Sequence, residues 1–364
     1  MHEPALQSLV DRVQEARAGH GSLNIVGGDS KRFYGGERSG ESLDMRALSG
    51  ISSYEPSELV VTARAGTRLA ELEAALAECH QHLPFEPPRF GPGGTVGGMV
   101  AAGLSGPSRA AAGGVRDHVL GATLLSGKGE VLRFGGQVMK NVAGYDVSRV
   151  LAGSMGVLGA ICDVSLKVLP LPAATATLRF EMEQAAALQQ LNEWAGRPLP
   201  INASAWWSGM LVLRLCGAAA AVRAACTALG GERIDEPLAG GFWNGLRDHG
   251  DEFFVTARAA FDAGATLWRL ALPQTAAPLP LAGEQLIEWG GAQRWLCSSA
   301  PAARVRDATA AAGGHATAFM GHERGGGVFA PLKSPLDRIH RELKRAFDPD
   351  GVFNNGRLYP GLCP

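Results

Sequence analysis

The 89–170 segment of this chain is dense in glycine and alternates tight turns with short apolar runs of strand length. Three glycine phrases that also carry polar residues lie at 92–98, 140–146 and 153–159. Residues without large side chains let a bound group approach the backbone closely. The segment therefore predicts a site for a flat, phosphorylated cofactor.

The first phrase, Pro-Gly-Gly-Thr-Val-Gly-Gly, has the composition of an anion-binding loop. Successive small residues let backbone N–H groups converge on an anion without interference from Cβ atoms. The apolar run 96–104 predicts a helix whose positive N-terminal end faces the same anion. A pyrophosphate is the expected ligand, whereas a simple turn is the alternative for one such phrase taken alone.

A second glycine loop lies upstream at 27–31, with the sequence Gly-Gly-Asp-Ser-Lys. It follows the apolar run 23–26, which predicts a strand. An apolar helical face precedes that strand and consists of Leu6, Leu9, Val10 and Val13. The loop offers backbone donors, a hydroxyl and a cation at one turn. Together the two loops predict a grip on a pyrophosphate from two sides.

Other nucleotide motifs do not fit. A dinucleotide-binding GxGxxG would need a glycine after Gly91 and Gly93 at the position that Val96 occupies. The Ser-Gly-Lys-Gly phrase at 126–129 lacks the Ser or Thr that follows lysine in a Walker A loop. Because it separates two strand-like runs, 119–125 and 130–134, it predicts a hairpin turn.

Four phrases occur in a fixed order along the chain: Gly-Gly-x-Ser-Lys, Pro-Gly-Gly-Thr-Val-Gly-Gly, Lys-Asn-x-x-Gly-Tyr-Asp and Gly-Ser-x-Gly-x-Leu-Gly. This order resembles the FAD-binding domain of the vanillyl-alcohol oxidase and p-cresol methylhydroxylase flavoprotein superfamily. The resemblance covers 6–170 and returns at 347–357. Within the superfamily, the short length and the wording of 135–141 are most similar to the family of FAD-binding E subunits of bacterial glycolate oxidases.

The resemblance implies bound FAD, held non-covalently because no histidine stands in either glycine loop. The candidate cofactor-binding residues are Gly27, Gly28, Asp29, Ser30, Lys31, Pro92, Gly93, Gly94, Thr95, Val96, Gly97, Gly98, Arg116, Asp117, Lys140, Asn141, Tyr145, Asp146, Gly153, Ser154, Gly156, Gly159 and Ile161. For the polar members between Arg116 and Asp146, the alternative is local turn hydrogen bonding or mutual pairing. The glycines from Gly153 onward are expected beside the adenosine portion, with Ile161 offering backbone groups to adenine.

The expected fold class is α+β. The resemblance implies a two-subdomain FAD-binding domain at 1–172 and a C-terminal segment at 321–364 that returns to the flavin domain. Between them, 173–320 alternates strand-like and alanine-rich helical runs in the order strand, helix, strand, strand, helix, strand, which predicts a ferredoxin-like α+β cap. In the C-terminal segment, Asn354, Asn355 and Arg357 either approach the flavin or form a structural turn.

Composition limits the classes of partner. The chain has 364 residues, 34 basic and 35 acidic side chains and a formal net charge of -1, so no basic excess favours nucleic acid. No secretory signal or apolar run of membrane-spanning length is evident. We therefore expect a cytoplasmic protein that contacts the inner membrane only through partners. The six cysteines form no Cys-x-x-Cys pair, so electrons from a flavin must leave to an acceptor supplied from outside.

Catalytic residues are not evident. Relatives that oxidise 2-hydroxy acids carry a His-x-Gly-Asp-Gly-Asn phrase and a Glu-His pair in the cap, and this chain has neither. The remaining candidates are His315, His322, Glu323 and Arg324, which do not form a metal-binding pattern, so no metal site is expected.

Three interpretations stay open. By resemblance, the first is an FAD-binding subunit that relays electrons between a larger paralogous catalytic flavin subunit and an iron–sulfur subunit during oxidation of glycolate to glyoxylate. The second is a self-contained FAD-dependent 2-hydroxy-acid dehydrogenase of the D-lactate type. The third is a non-catalytic subunit that holds FAD for assembly.

Overall fold

The computed structural model describes residues 3–136, 146–321 and 327–362. The chain divides into two compact units: unit 1 comprises 1–104, 114–170 and 331–364, and unit 2 comprises 105–113 and 171–330. The domain bounds inferred from the sequence stay a prediction. Within the described ranges, no helix has the length and apolar character needed to cross a bilayer.

The helices of the described ranges are α1 (Pro4–Ala18), α2 (Leu69–Glu78), α3 (Val96–Ala102), α4 (Arg109–Ala112), α5 (Val115–His118), α6 (Gln184–Ala195), α7 (Ala219–Leu229), α8 (Glu236–Asp248), α9 (Glu252–Ala259), α10 (Ala302–Ala311) and α11 (Leu336–Phe347). The strands are β1 (Leu23–Val26), β2 (Glu41–Asp44), β3 (Ile51–Glu55), β4 (Val60–Arg64), β5 (Gln81–His82), β6 (Val119–Leu125), β7 (Val131–Gly135), β8 (Ala160–Lys167), β9 (Leu169–Pro170), β10 (Ala174–Glu181), β11 (Ile201–Trp207), β12 (Met210–Gly217), β13 (Glu232–Ile234), β14 (Thr266–Ala271), β15 (Glu284–Glu288), β16 (Gln293–Ser298) and β17 (His315–Gly321).

Unit 1 contains a small parallel pair, β1–β2, and a five-stranded antiparallel sheet with the order β3-β4-β8-β6-β7. Leu9, Val10 and Val13 on the apolar face of α1 are buried in one core cluster with Leu23 of β1. Helices α2 and α3 contribute to a second core cluster with β4, β6 and β8. The predicted first helix, first strand and hairpin turn at 126–129 are confirmed.

The sequence of the C-terminal helix has Leu336, Ile339, Leu343 and Phe347 at helical spacing, which predicts an apolar side with the basic residues on the solvent side. Part of this prediction is wrong. The spacing of α11 places Lys344 among the arginines of the solvent-facing side, but Lys344 is buried and forms an ion pair with Asp348. Leu336 and Ile339, expected on the apolar side, are instead exposed by 50% and 45%. Lys344 is buried because its ammonium donates to the carbonyl oxygens of Val157 and Phe353. The periodicity of the helix does not indicate these contacts.

Unit 2 is built on one antiparallel sheet of eight strands in the order β13-β10-β12-β11-β15-β16-β14-β17. Its first half, β10-α6-β11-β12-α7-β13, has the predicted ferredoxin-like order. The second half, β14 to β17, repeats the same strand order, with the non-helical segment 272–283 where the first helix would stand. The halves join where β11 pairs with β15. The sequence pattern predicts only one such half.

The two faces of this sheet are covered differently. Helices α6, α7 and α10 pack with apolar strand residues of one face. On the other face, α8 and α9 supply aromatic contacts: Phe253 meets Trp207, and the ring of His249 stacks on Phe254 at 3.9 Å between centroids. Trp295 and Phe319 complete the cage around His249. The part of this face that α8 and α9 cover is therefore packed mainly by aromatic rings.

The caged imidazole predicts a pH dependence of unit 2 stability. Burial, followed by the charges of Arg269 and Arg258, lowers the pKa of His249 well below its ordinary value of 6.5. Because the unfolded chain then binds the proton more readily, stability is fully present above about pH 6.5 and falls as the pH drops toward the folded-state pKa. One such group changes the free energy of unfolding by at most about 1.4 kcal/mol per pH unit.

We expect His249→Phe to reduce the loss of stability between pH 7 and 5.5. Urea unfolding followed by tryptophan fluorescence is a suitable measurement, since all seven tryptophans lie in unit 2. A His20→Asn variant, which changes an exposed side chain of unit 1, is the control and should keep the parent slope. An unchanged slope in His249→Phe would show that this imidazole is not the titrating group.

Candidate cofactor site

Unit 1 contains an open cleft of about 810 Å3, a volume that includes the part open to solvent. Four stretches of chain supply most of its lining: the end of β1 with the first glycine loop, α3 with Thr95 before it, the 155–161 segment and the C-terminal segment. The candidate residues that it brings together are Gly27, Gly28, Asp29, Ser30, Lys31, Thr95, Gly97, Gly98, Gly156, Gly159 and Ile161. These eleven candidates are half of the residues that line the cleft.

The two glycine loops, 27–31 and 92–98, lie directly against each other. A Cβ atom on Gly28 would stand 1.3 Å from the carbonyl oxygen of Gly93, and one on Gly27 would stand 2.3 Å from Thr95 Oγ1. A Cβ on Gly97 would stand 2.6 Å from that of Ala65. These glycines are therefore needed for contact between protein segments. Gly93 supports the first loop from behind and does not itself line the cleft.

The donors of the second loop differ from the prediction. At the start of α3, the N–H of Val96 donates to Thr67 O at 2.9 Å, that of Gly97 to Ala65 O at 2.8 Å, and that of Gly98 to Thr95 Oγ1 at 3.3 Å. The expectation that the helix N-terminus offers its donors to an anion is therefore wrong for these three groups. Among the described residues, the N–H groups of 28–30 and 93–95 donate to no protein acceptor.

Charged side chains of the cleft are mostly engaged by the protein. Arg38 forms an ion pair with Asp29, and the Lys31 ammonium lies 5.9 Å from the centroid of Phe90. Asp29, Met155 and Asn354 have positive φ values of 55°, 53° and 45°. Non-glycine residues in this region are uncommon and cluster at functional sites, so their presence on three walls of one cleft supports a binding role.

The C-terminal segment 348–357, which we call the C-terminal clasp, joins three walls of the cleft. Asn354 Oδ1 accepts from the N–H of Ile25 at 2.8 Å, and Asn354 Nδ2 donates to Met155 O at 2.7 Å. The N–H of Asn354 donates to Leu23 O at 3.0 Å. One side chain and its backbone therefore hold β1 and the 155–161 loop at a fixed separation.

Two further side chains anchor the clasp. Arg357 is 6% exposed and donates to the carbonyl oxygens of Tyr34 and Gly36, beside the first glycine loop. Lys344 donates to Asp348 Oδ2 at 2.5 Å, Phe353 O at 2.8 Å and Val157 O at 2.9 Å. Asn354 and Arg357 thus both line the cleft and shape it, which combines the two alternatives that the sequence left open.

The other candidates lie away from the cleft lining. Pro92, Gly94, Val96, Gly153 and Ser154 flank it without lining it. Asp117 Oδ2 accepts from the N–H of Gly114 at 2.8 Å, next to the exposed Arg116. Asp146 pairs with Arg149 at 2.8 Å and accepts from Ser148 Oγ at 2.5 Å. Asp117 and Asp146 therefore make the local hydrogen bonds that were the alternative to cofactor contact.

Some candidates fall outside the described residues, namely Lys140, Asn141, Tyr145, His322, Glu323 and Arg324. His315 begins β17 in unit 2. In the described ranges, no group of three or more His, Cys, Asp or Glu side chains is placed to hold a metal ion. Asn24, Arg38, Met45 and Met155 also line the cleft and were not named as cofactor-binding candidates, because no local motif marks them.

The residues present fit a dinucleotide cofactor. The two touching glycine loops contain N–H groups that donate to no acceptor among the described residues. An anion bound to these groups would have the cations of Lys31 and Arg38 nearby. Gly156 and Gly159 keep side chains out of the opposite wall, where φ values of 74° and 149° also favour glycine. A pyrophosphate on one side and a flat ring system on the other are compatible with this arrangement.

Comparisons with known proteins agree with the geometry. Residues 6–135 match the model of the FAD binding domain family. The chain is 47% identical over 356 residues to glycolate oxidase subunit GlcE of Escherichia coli, and the match covers 98% of each chain. It is 34% identical over 96 residues to glycolate oxidase subunit GlcD of Bacillus subtilis, covering 26% of this chain and 20% of that protein.

A solved structure of alkyldihydroxyacetonephosphate synthase superposes with a TM-score of 0.67 at 15% identity, covering 96% of this chain and 75% of that one. This likeness shows the fold alone, and it confirms the predicted fold class. The identity to the GlcE subunit extends over nearly the whole length of both chains and includes the cleft-forming segments. The chain binds FAD and belongs to the family of glycolate oxidase subunit GlcE, a family of FAD-dependent oxidoreductases.

Proposed function

We propose that this chain is the FAD-carrying, electron-relaying subunit of a multi-subunit glycolate oxidase or dehydrogenase. In this assembly a larger paralogous flavin subunit oxidises glycolate to glyoxylate, and an iron–sulfur subunit accepts the electrons. The observation that carries the proposal is the 47% identity to a GlcE subunit over 98% of both chains. The shorter match to a GlcD subunit supports a paralogous flavin partner.

The cysteines support an external acceptor. Cys79, Cys162, Cys216, Cys226 and Cys297 are free and scattered through the chain, and the sequence has no Cys-x-x-Cys pair. A chain with this cysteine pattern needs a partner for iron–sulfur chemistry. We place the assembly in the cytoplasm, with any contact to the inner membrane made through partner subunits.

We propose that the diphosphate of FAD lies in the cleft against the first glycine loop and the neighbouring residues 93–95, whose N–H groups at 28–30 and 93–95 donate to no acceptor among the described residues. The adenosine portion would lie against Gly156, Gly159 and Ile161. FAD supplies the redox chemistry when bound, while the protein positions it and sets its surroundings. The clasp keeps the two sides of the cleft together through Asn354, so that cofactor contacts on β1 and on the 155–161 loop form together.

The visible absorbance spectrum of the purified chain tests the proposal. We expect a flavin band that anaerobic glycolate leaves unchanged, and that glycolate bleaches only after the larger flavin subunit is added. Addition of that subunit without glycolate is the control. Bleaching of the isolated chain by glycolate would identify a self-contained 2-hydroxy-acid dehydrogenase. A band that stays oxidised with every partner and glycolate present would identify a subunit that only holds FAD.

A further inference from the structure

Helices α8 and α9 cover part of one face of the unit 2 sheet. At one end of the sheet, the same face carries polar side chains. Glu288 pairs with Gln293, and Arg269 pairs with Thr317 in the strand register. Gln293 and His315 are both paired with Ala271, two residues from Arg269. Directly paired residues, and residues two apart on one strand, share a sheet face. These five side chains form what we call the polar cluster.

A chain of hydrogen bonds holds the guanidinium of this cluster. Arg269 Nε donates to Gln293 Oε1 at 2.6 Å, and Gln293 Nε2 donates to Glu288 Oε2 at 3.0 Å. Trp295 Nε1 donates to the same carboxylate oxygen at 2.6 Å. Glu288 and Gln293 are each only 3% exposed. Buried polar groups destabilise the fold unless they are hydrogen-bonded, and in this network each of these groups has a partner. The network therefore holds the Arg269 guanidinium in a fixed orientation.

Within the described ranges, the outer half of the Arg269 guanidinium is not engaged by the protein. Among the described residues, only Nε of this side chain has a hydrogen-bond acceptor, and neither Nη atom forms an ion pair. Arg269 is partly exposed, so solvent and small solutes reach it. A guanidinium oriented through Nε, with both Nη groups open, has the planar donor geometry that matches a carboxylate.

The ring of Trp289 lies close to a second arginine, Arg109. Its buried ring lies 5.3 Å from Arg269 Cζ and 4.7 Å from Arg109 Cζ, and its Nε1 donates to Gly106 O at 3.0 Å. Trp289 itself has a φ of 55°, which is a strained backbone conformation for a bulky residue. The ring of Trp289 therefore brings the guanidinium groups of Arg109 and Arg269 into one neighbourhood.

We propose that Arg269 binds the carboxylate of a small organic acid at this end of unit 2, with both Nη groups donating and Trp289 forming an adjacent wall. Gln293 and Glu288 are positioning residues for it. Burial and the nearby Arg269 charge lower the pKa of His315 below its ordinary value of 6.5, so near pH 7 the positive charge of the polar cluster comes mainly from Arg269. The inference goes beyond the electron relay, because it assigns a carboxylate site to this chain and not only to its partner.

Isothermal titration calorimetry of the flavin-loaded full chain with sodium glycolate tests the site. Glycolamide, which has the same shape without the negative charge, is the matched ligand. We expect saturable binding of glycolate, no comparable binding of glycolamide, and at least about tenfold weaker glycolate binding in Arg269→Gln, as expected for loss of charge-assisted hydrogen bonds. Arg269→Lys, which keeps the charge but not the fork, should bind glycolate more weakly than the parent and more tightly than Arg269→Gln.

Arg179→Gln is the matched control, since Arg179 is a sheet arginine of unit 2 that already pairs with Glu232 at 2.6 Å. It should bind glycolate like the parent. Tryptophan fluorescence and the flavin band show that each variant is folded and loaded. Equal glycolate binding by the parent and a folded Arg269→Gln, equal binding of glycolamide, or no saturable binding by the parent would each overturn the site. Because binding is read without turnover, these outcomes are separate from failure of the electron relay.

Discussion

A Gly28→Ala variant is expected to purify without bound flavin while unit 2 stays folded. The added Cβ would stand 1.3 Å from the Gly93 oxygen and 2.2 Å from the Gly93 carbonyl carbon, so the two glycine loops must separate. Separation of the loops moves the N–H groups of 28–30 away from those of 93–95, so that they no longer converge on one anion. Loss of about two hydrogen bonds to a charged diphosphate weakens binding by roughly 100-fold or more. The flavin absorbance per protein and the dissociation constant of added FAD measure the effect.

Gly94→Ala provides the matched control in the facing loop. A Cβ on Gly94 would meet its nearest neighbours, Ser30 Oγ and Arg89 O, at the ordinary contact distances of 3.5 and 3.6 Å. This variant should retain most of its flavin. Tryptophan fluorescence reports on unit 2 alone, because all seven tryptophans lie there. Full flavin content in a folded Gly28→Ala protein would remove the contact between the two loops from the binding model.

Local patterns in the sequence predicted the elements that carry the cleft. The apolar run before the first glycine loop is β1, and the Val96 helix follows the second loop. The alternation of strands and alanine-rich helices gave the first ferredoxin-like half of unit 2. These predictions succeed because periodicity and glycine placement depend on neighbours in the sequence. The second half was not predicted, because the non-helical segment 272–283 interrupts the same alternation.

Features that depend on distant contacts could not be predicted in this way. The N–H groups of Val96 and Gly97 donate to the carbonyl oxygens of Thr67 and Ala65, and no sequence pattern near α3 indicates these bonds. The role of Asn354 depends on bonds to Ile25 and Met155, more than a hundred residues away in each case. Arg269 carries no motif at all, since its neighbours come from three other strands. Strand register is set by the packed sheet, and single-sequence periodicity does not specify it.

The second large effect is expected from Lys344→Met. Lys344 and Asp348 are 1% and 0% exposed, and Asp348 also accepts from the N–H groups of Val352 and Phe353 at 2.8 Å each. Removing the ammonium leaves a buried carboxylate without its counter-charge, which typically costs about 3–5 kcal/mol. We expect the melting temperature of unit 1 to fall by roughly 10 °C, since about 1 kcal/mol shifts a domain of this size by 2–4 °C. Thermal unfolding followed by flavin release measures the change.

A double-mutant cycle distinguishes the ion pair from general damage to α11. Asp348→Asn alone leaves a buried ammonium, whereas Lys344→Met with Asp348→Asn removes both charges and keeps an acceptor oxygen at 348. The double variant should therefore be more stable than the sum of the single effects predicts. Arg345→Met changes the adjacent exposed side chain, whose ion-pair partner within the described ranges is the exposed Glu342, and should cost less than about 0.5 kcal/mol. Strict additivity in the cycle would mean that the clasp is held by its backbone hydrogen bonds and by Asn354, and that the buried pair contributes no coupling of its own.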